Sequence, residues 1–223
     1  MMILRQIVLM LMISMVLIPT QAGKKQDPFL EDPEAAVNAV NEGVLTFLLK
    51  PPVKAVHHHH NTLTISPQSI RTGWVKLSQC HKNLDKFPRA EIVYNKYRVR
   101  KIKLTMHKNI EKAWVEGGRI QLENVGANAI VCMQAESKAL RLQPDGSFII
   151  QNGPFMRKFL DGYYPMRVSM DILLPKGLSY SSVTPVEQKG FSIQQNGRNI
   201  HFDAWFEGRL VTRIKLKNIK VDK

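Results

Sequence analysis

Apolar and polar side chains alternate along much of this chain. In RVRKIKLTMH, Ile102, Leu104 and Met106 alternate with Lys101, Lys103, Thr105 and His107; in GRIQLENV, Ile120 and Leu122 are set against Arg119, Gln121 and Glu123. A period of two marks an extended strand with one dry and one wet face, because successive side chains leave a strand on opposite sides. Turn residues punctuate the runs at Gly117-Gly118, Pro144-Asp145-Gly146, Asn152-Gly153 and Asn196-Gly197. Glycine and asparagine tolerate the positive φ that tight turns require. Strands recur at short intervals without long helices between them. The pattern predicts a mainly β fold, an antiparallel β-sandwich with immunoglobulin-like layers over residues 43–223, with a candidate division near Gly153.

Two short helices are expected beside the strands. Asp32-Pro33 offers an N-cap followed by proline at the first helical position, and PEAAVNAVNEG continues it to Gly43. Pro154 and Gly162 bracket a second helix over 154–161.

The last alternating stretch, RNIHFDAWFEGRLVTRIKLKN, predicts a closing hairpin. Ile200, Phe202, Ala204 and Phe206 form one apolar face, and Leu210, Thr212, Ile214 and Leu216 form its match. Both faces must meet the same core, so a turn over Glu207-Gly208-Arg209 sets Asp203 opposite Arg213 and His201 opposite Lys215. The outer face then carries His201, Asp203, Trp205, Arg213, Lys215 and Lys217, a candidate binding surface. Tyr163 and Tyr164, in FLDGYYPMRV, form an aromatic pair that either stacks on a sugar ring or seals the end of the fold.

The first 22 residues depart from this pattern. Arg5 precedes the mostly apolar run Gln6 to Ile18, Pro19 breaks it, and Thr20-Gln21-Ala22 supplies a small residue before Gly23. This is the layout of a secretory signal peptide, too short for the roughly 20 apolar residues that span a bilayer. No later segment is apolar enough to span a membrane after the signal is removed. The expected location is the periplasm or the exterior. No N-x-S/T sequon occurs, which agrees with a bacterial source.

Charge sharpens the picture. The chain has 32 Lys plus Arg against 18 Asp plus Glu, a formal net charge of +14. The leader contributes Arg5 alone, so the remainder keeps nearly all of it. A basic exported protein attracts anionic partners. Export removes cytoplasmic nucleic acid from consideration and leaves an anionic envelope lipid or glycan, or an acidic protein. Cys80 and Cys132 are the two cysteines, and in an oxidising compartment they are expected to be bridged.

Four of the seven histidines fall together in VKAVHHHHNTLTISP. On a strand His57 and His59 share the apolar side, and His58 and His60 look outward. Imidazoles at i and i+2 sit about 6.5–7 Å apart and need ligands from other strands to share zinc or copper. His81 is the first candidate, with Cys80, His107 and His201 behind it. Cys80 and His81, adjacent on a strand, point to opposite faces. Hydrogen-bonded histidines with no ligand, or a charge switch, are the competing readings.

No G-x-S-x-G elbow, S-x-x-K, H-E-x-x-H, glycine-rich phosphate loop or EF-hand loop is present. The sequence therefore points to an exported, non-catalytic binding protein. The alternative is a periplasmic zinc- or copper-handling protein built on His57 and His59, and a hydrolase with a scattered site ranks last.

Overall fold

A computed structural model describes residues 43–159 and 162–219. The signal segment and the first helix, both expectations from the sequence, lie outside the described residues. The fold is mainly β. The strands are β1 (Thr46–Leu48), β2 (His58–Thr64), β3 (Val75–Leu84), β4 (Phe87–Val93), β5 (Val99–Glu116), β6 (Arg119–Ser137), β7 (Leu140–Leu142) and β8 (Phe148–Phe155). They continue as β9 (Lys158–Phe159), β10 (Gly162–Tyr163), β11 (Met166–Leu173), β12 (Leu178–Thr184), β13 (Gln194–Asn196), β14 (Asn199–Glu207) and β15 (Leu210–Asn218).

Nine strands form one sheet in the order β1-β14-β11-β2-β3-β6-β4, with β13 added to β14 and β5 to β6. A second sheet has the order β12-β15-β8-β7, and β9 and β10 form a small pair. One pairing departs from the antiparallel expectation: β11 and β2 run parallel, with Val168 beside His59. Side-chain alternation carries no information on strand direction, so the sheet is mixed where the pattern alone predicted antiparallel.

The inner faces share one core. Val168, Met170, Ile200, Phe202 and Phe206 of the large sheet are buried, as are Ile150, Leu210, Ile214 and Leu216 of the small one. The expected closing hairpin does not form. β14 pairs with β11, β1 and β13, whereas β15 pairs with β8 and β12. The chain instead crosses between sheets at Gly208, where φ is +86° and a Cβ would collide with the Val44 carbonyl. Two apolar faces aimed at one core satisfy the same parity whether the strands pair or arch across the core.

The helix expected over 154–161 is also absent as far as residue 159: the end of β8, the non-helical Met156 and Arg157, and β9 take its place. Pro154 lies inside β8, beside the irregular register where Leu210 opposes Phe155 and Thr212 opposes Asn152. A bulge is a place in a sheet where proline's missing N–H costs no ladder bond. Phe155 is buried there, which holds the segment extended. The helix that is described, α1 (Pro67–Thr72), follows Ser66, whose side chain accepts from the Ser69 N–H, and ends at Gly73 with φ of 75°. Ser66-Pro67 and Gly73 are the start and stop signals that could have found it.

The β4–β5–β6 ribbon folds back on the sheet. Val93 pairs with Arg119 and Val99 with Ser137. A straight strand from Arg119 to Ser137 would cover about 60 Å, but the chain from Val93 to Val99 reaches only about 20 Å. The bend lies where bulges coincide: Asn83, Asn109, Asn124 and Asn128 all adopt positive φ near 50–56°, a conformation asparagine tolerates better than most residues. Beyond it, β4 with the distal halves of β5 and β6 forms an arm. The Tyr94 hydroxyl at its end donates to Gln79 Oε1 of β3 at 2.6 Å.

Candidate functional site

The inner face of β2 and β3 brings His57, His59 and His81 together. His59 lies directly opposite His81 in the ladder, with ring centroids 4.3 Å apart, and His57 stacks on His81 at 5.2 Å. A proton order follows from the acceptors. Gln79 Oε1 can only accept, so His81 Nε2–H donates to it at 3.1 Å. Neutral His81 therefore presents a bare Nδ1, which accepts from His57 Nε2–H at 3.1 Å. Gln79 Nε2 donates to Asn61 Oδ1 at 2.9 Å. The edge of the His59 ring meets the Phe155 ring at 4.9 Å, and its buried Nε2 has no partner among the described residues.

Burial sets the protonation of this cluster. Removal from water, helped by the Arg157 charge, lowers His57 to about 4. Burial and the neighbouring His57 lower His81 to about 3, and burial holds His59 well below its ordinary value. All three are neutral at physiological pH. Neutral imidazole is the form that binds metal, yet the lone pair of His81 Nδ1 is engaged by His57. Among the described residues, no group of three or more His, Cys, Asp or Glu side chains is arranged to hold an ion.

The other candidate ligands lie elsewhere. Cys80 is bonded to Cys132, its ladder partner, with Cα atoms 4.1 Å apart, on the face opposite His81. His107 Nδ1 bonds to the Ile110 carbonyl at 3.1 Å on β5. His201 Nδ1–H donates to Asp171 Oδ1 at 2.9 Å on the outer face.

That outer face carries a second polar array. The Ser169 hydroxyl sits 2.7 Å from both His58 Nε2 and His60 Nδ1, and His60 Nε2 lies 3.8 Å from Asp171. Arg167 forms a two-pronged pair with Asp203, its Nε donating at 2.8 Å, and its guanidinium lies 4.6 Å over the Trp205 ring. Sequence reading missed Ser169 and Asp171, and placed Arg167 with Tyr163 and Tyr164 rather than with Asp203. Their signal was the i, i+2 spacing that mirrors His58 and His60. Ser169, His60 and Asp171 stand in the order of a hydrolase triad, but Ser169 is 3% exposed, and 3.8 Å exceeds hydrogen-bond range.

The predicted binding surface is divided between sheets. His201, Asp203 and Trp205 belong to this outer array, while Arg213 and Lys215 lie on β15, bonded to Gln151 and to Asp145. Asp203 therefore meets Arg167 rather than Arg213. Tyr163 receives Lys158 over its ring at 5.5 Å. Tyr164 packs edge-on against Phe159 at 5.3 Å, with the Arg157 guanidinium 5.6 Å from its ring centre.

Two cavities flank His81 beneath the arm. One, of about 400 Å³, is lined by His59, Leu77, Gln79, Tyr94, Asn152 and Phe155 among others. The other, of about 380 Å³, lies toward Arg157. No protein-family model matches the chain, and no curated protein is similar to it in sequence.

Proposed function

We propose that this is an exported, non-catalytic β-sandwich protein with immunoglobulin-like layers that binds an anionic envelope component through its cationic surface. The observation that carries this reading is β5. It is 18 residues long and hydrogen-bonds to β6 alone among the described strands. Arg100 and Lys101 pair with Glu136, and Lys112 lies near Glu123. Lys103 and Lys108 are exposed with no carboxylate partner among the described residues, so their charge is available to a ligand. A lysine near an anionic lipid surface contributes about 1 kcal/mol, within a screening length of about 10 Å at 0.1 M salt. The membrane or glycan of the envelope is favoured over an acidic protein because a spread row of charges matches a repeating anionic surface.

Sedimentation with phosphatidylglycerol vesicles tests the reading. Association should fall steeply with added salt and weaken about thirtyfold in a Lys103→Gln, Lys108→Gln variant, about 1 kcal/mol for each lysine. A flat salt response would overturn it. Zinc or copper handling at His57, His59 and His81 is the second reading, carried by the approach of three neutral imidazoles. It requires the His57–His81 hydrogen bond to open, and metal below a tenth of an equivalent after loading and dialysis would exclude it.

A further inference from the structure

The second cavity combines an apolar wall with a guanidinium that pairs with Asp85 yet keeps one buried donor unpaired among the described residues. Leu122 and Val125 of the arm face Met156 and Phe159 across it, and His81, Ile92 and Val93 are shared with its neighbour. Each volume falls within the range of about 300–1,000 Å³ common to small-molecule sites. Together they make an interrupted slot under the arm. Large apolar side chains are left in contact with water around it: Phe87 is 41%, Val93 61% and Phe159 40% exposed.

Arg157 lines the same cavity. Its Nη2 donates to Asp85 Oδ2 at 2.8 Å, but its Nε is buried without a partner among the described residues. A buried donor left unpaired costs free energy that an arriving acceptor recovers. Lys158 follows in the chain, and the Asp85 and Glu91 carboxylates in the same lining balance the two positive charges, so the open Nε–H rather than net charge marks the place for an anionic oxygen. Apolar walls left wet select a hydrocarbon chain that would cover them, and a guanidinium with an open donor selects an anionic oxygen.

We propose that this slot binds a single-chain anionic amphiphile, with the chain between the arm and β3 and the anionic group on Arg157. The inference rests on the reading of an anionic envelope ligand and narrows it to a lipid. Titration calorimetry of the whole protein with lauroyl lysophosphatidylglycerol, below its micelle concentration, tests it. One-to-one binding is expected, about tenfold tighter than for monolauroylglycerol, whose headgroup lacks the anionic oxygen, and no binding of glycerol phosphate. Arg157→Gln should remove the headgroup preference. Ala90→Phe, which fills the slot, should abolish binding with the circular dichroism spectrum unchanged.

Equal affinity for the two headgroups would overturn the proposal, as would glycerol phosphate binding as tightly as the lysolipid. So would undiminished binding by a folded Ala90→Phe protein. Salt-sensitive vesicle association without lysolipid binding removes the slot and leaves the surface reading standing. Saturable lysolipid binding with salt-independent vesicle association supports the slot and removes the cationic surface.

Discussion

On the inner face of β2, His59 lies against His81 and Phe155 with its Nε2 unpartnered. One residue later, on the outer face, His60 shares the Ser169 hydroxyl with His58 and lies near Asp171. The same side chain thus works in two ways across one strand. Inside, imidazole is a neutral polar ring whose value is its hydrogen bonds in a dry setting. Outside, it belongs to a half-wet array with carboxylates and a guanidinium at hand. Burial lowers the imidazoles of both faces, His57 and His58 each to about 4 and His60 below its ordinary value, so the faces differ in the partners each ring meets rather than in its charge.

Four experiments separate the faces further, in order of expected effect. The outer face includes the one covalent link, Cys80–Cys132, between residues 52 apart in sequence. Replacing both cysteines by alanine should cost about 4 kcal/mol in urea unfolding on the chain-entropy model. On the inner face, Gln79→Leu strips partners from Asn61, His81 and Tyr94 together and should cost about 3 kcal/mol in the same assay. A loss below about 1 kcal/mol would mean that water replaces the amide.

The third test uses pH. His57 and His81 titrate near 4 and 3 in the folded chain, below the ordinary value near 6.5. As pH falls below 6.5 the unfolded chain takes up protons first. Stability is therefore full above that value and is lost toward the folded values. Each buried histidine contributes a slope of up to about 1.4 kcal/mol per pH unit. His57→Gln should reduce the slope between pH 4 and 6.5 by about that amount. The smallest effect belongs to the outer array. A double-mutant cycle on Arg167 and Asp203, each partly exposed, should return about 1 kcal/mol or less.

Strand alternation was legible wherever one face is dry. It located the faces of β14 and β15 and put His57 and His59 on the same side of β2. Partnership was not legible, because parity is blind to which strand lies alongside. Asp203 consequently finds Arg167 from β11 instead of Arg213, and β2 joins β11 in parallel across more than a hundred residues of chain. Pro154 illustrates a different ambiguity: proline starts helices and also sits at bulges, and the burial of Phe155 selects the second. The arm was hidden because its signal is four asparagines whose backbone conformation only matters once β4, β5 and β6 are paired. Cys80 and Cys132 were easier, since the chain holds two thiols and the expected export to an oxidising compartment would leave them few options.

A long sheet edge with unpaired backbone groups invites another copy of the chain to add a strand, and lysines along it are a common protection. On β5 that duty falls to Lys101, Lys103, Lys108 and Lys112, which are exposed along an edge 18 residues long. Colloidal behaviour and the proposed ligand capture therefore draw on the same charges. A soluble polyanion that neutralises them without covering the backbone should turn a monodisperse solution turbid, and acetylating those amines should do the same with no polyanion present.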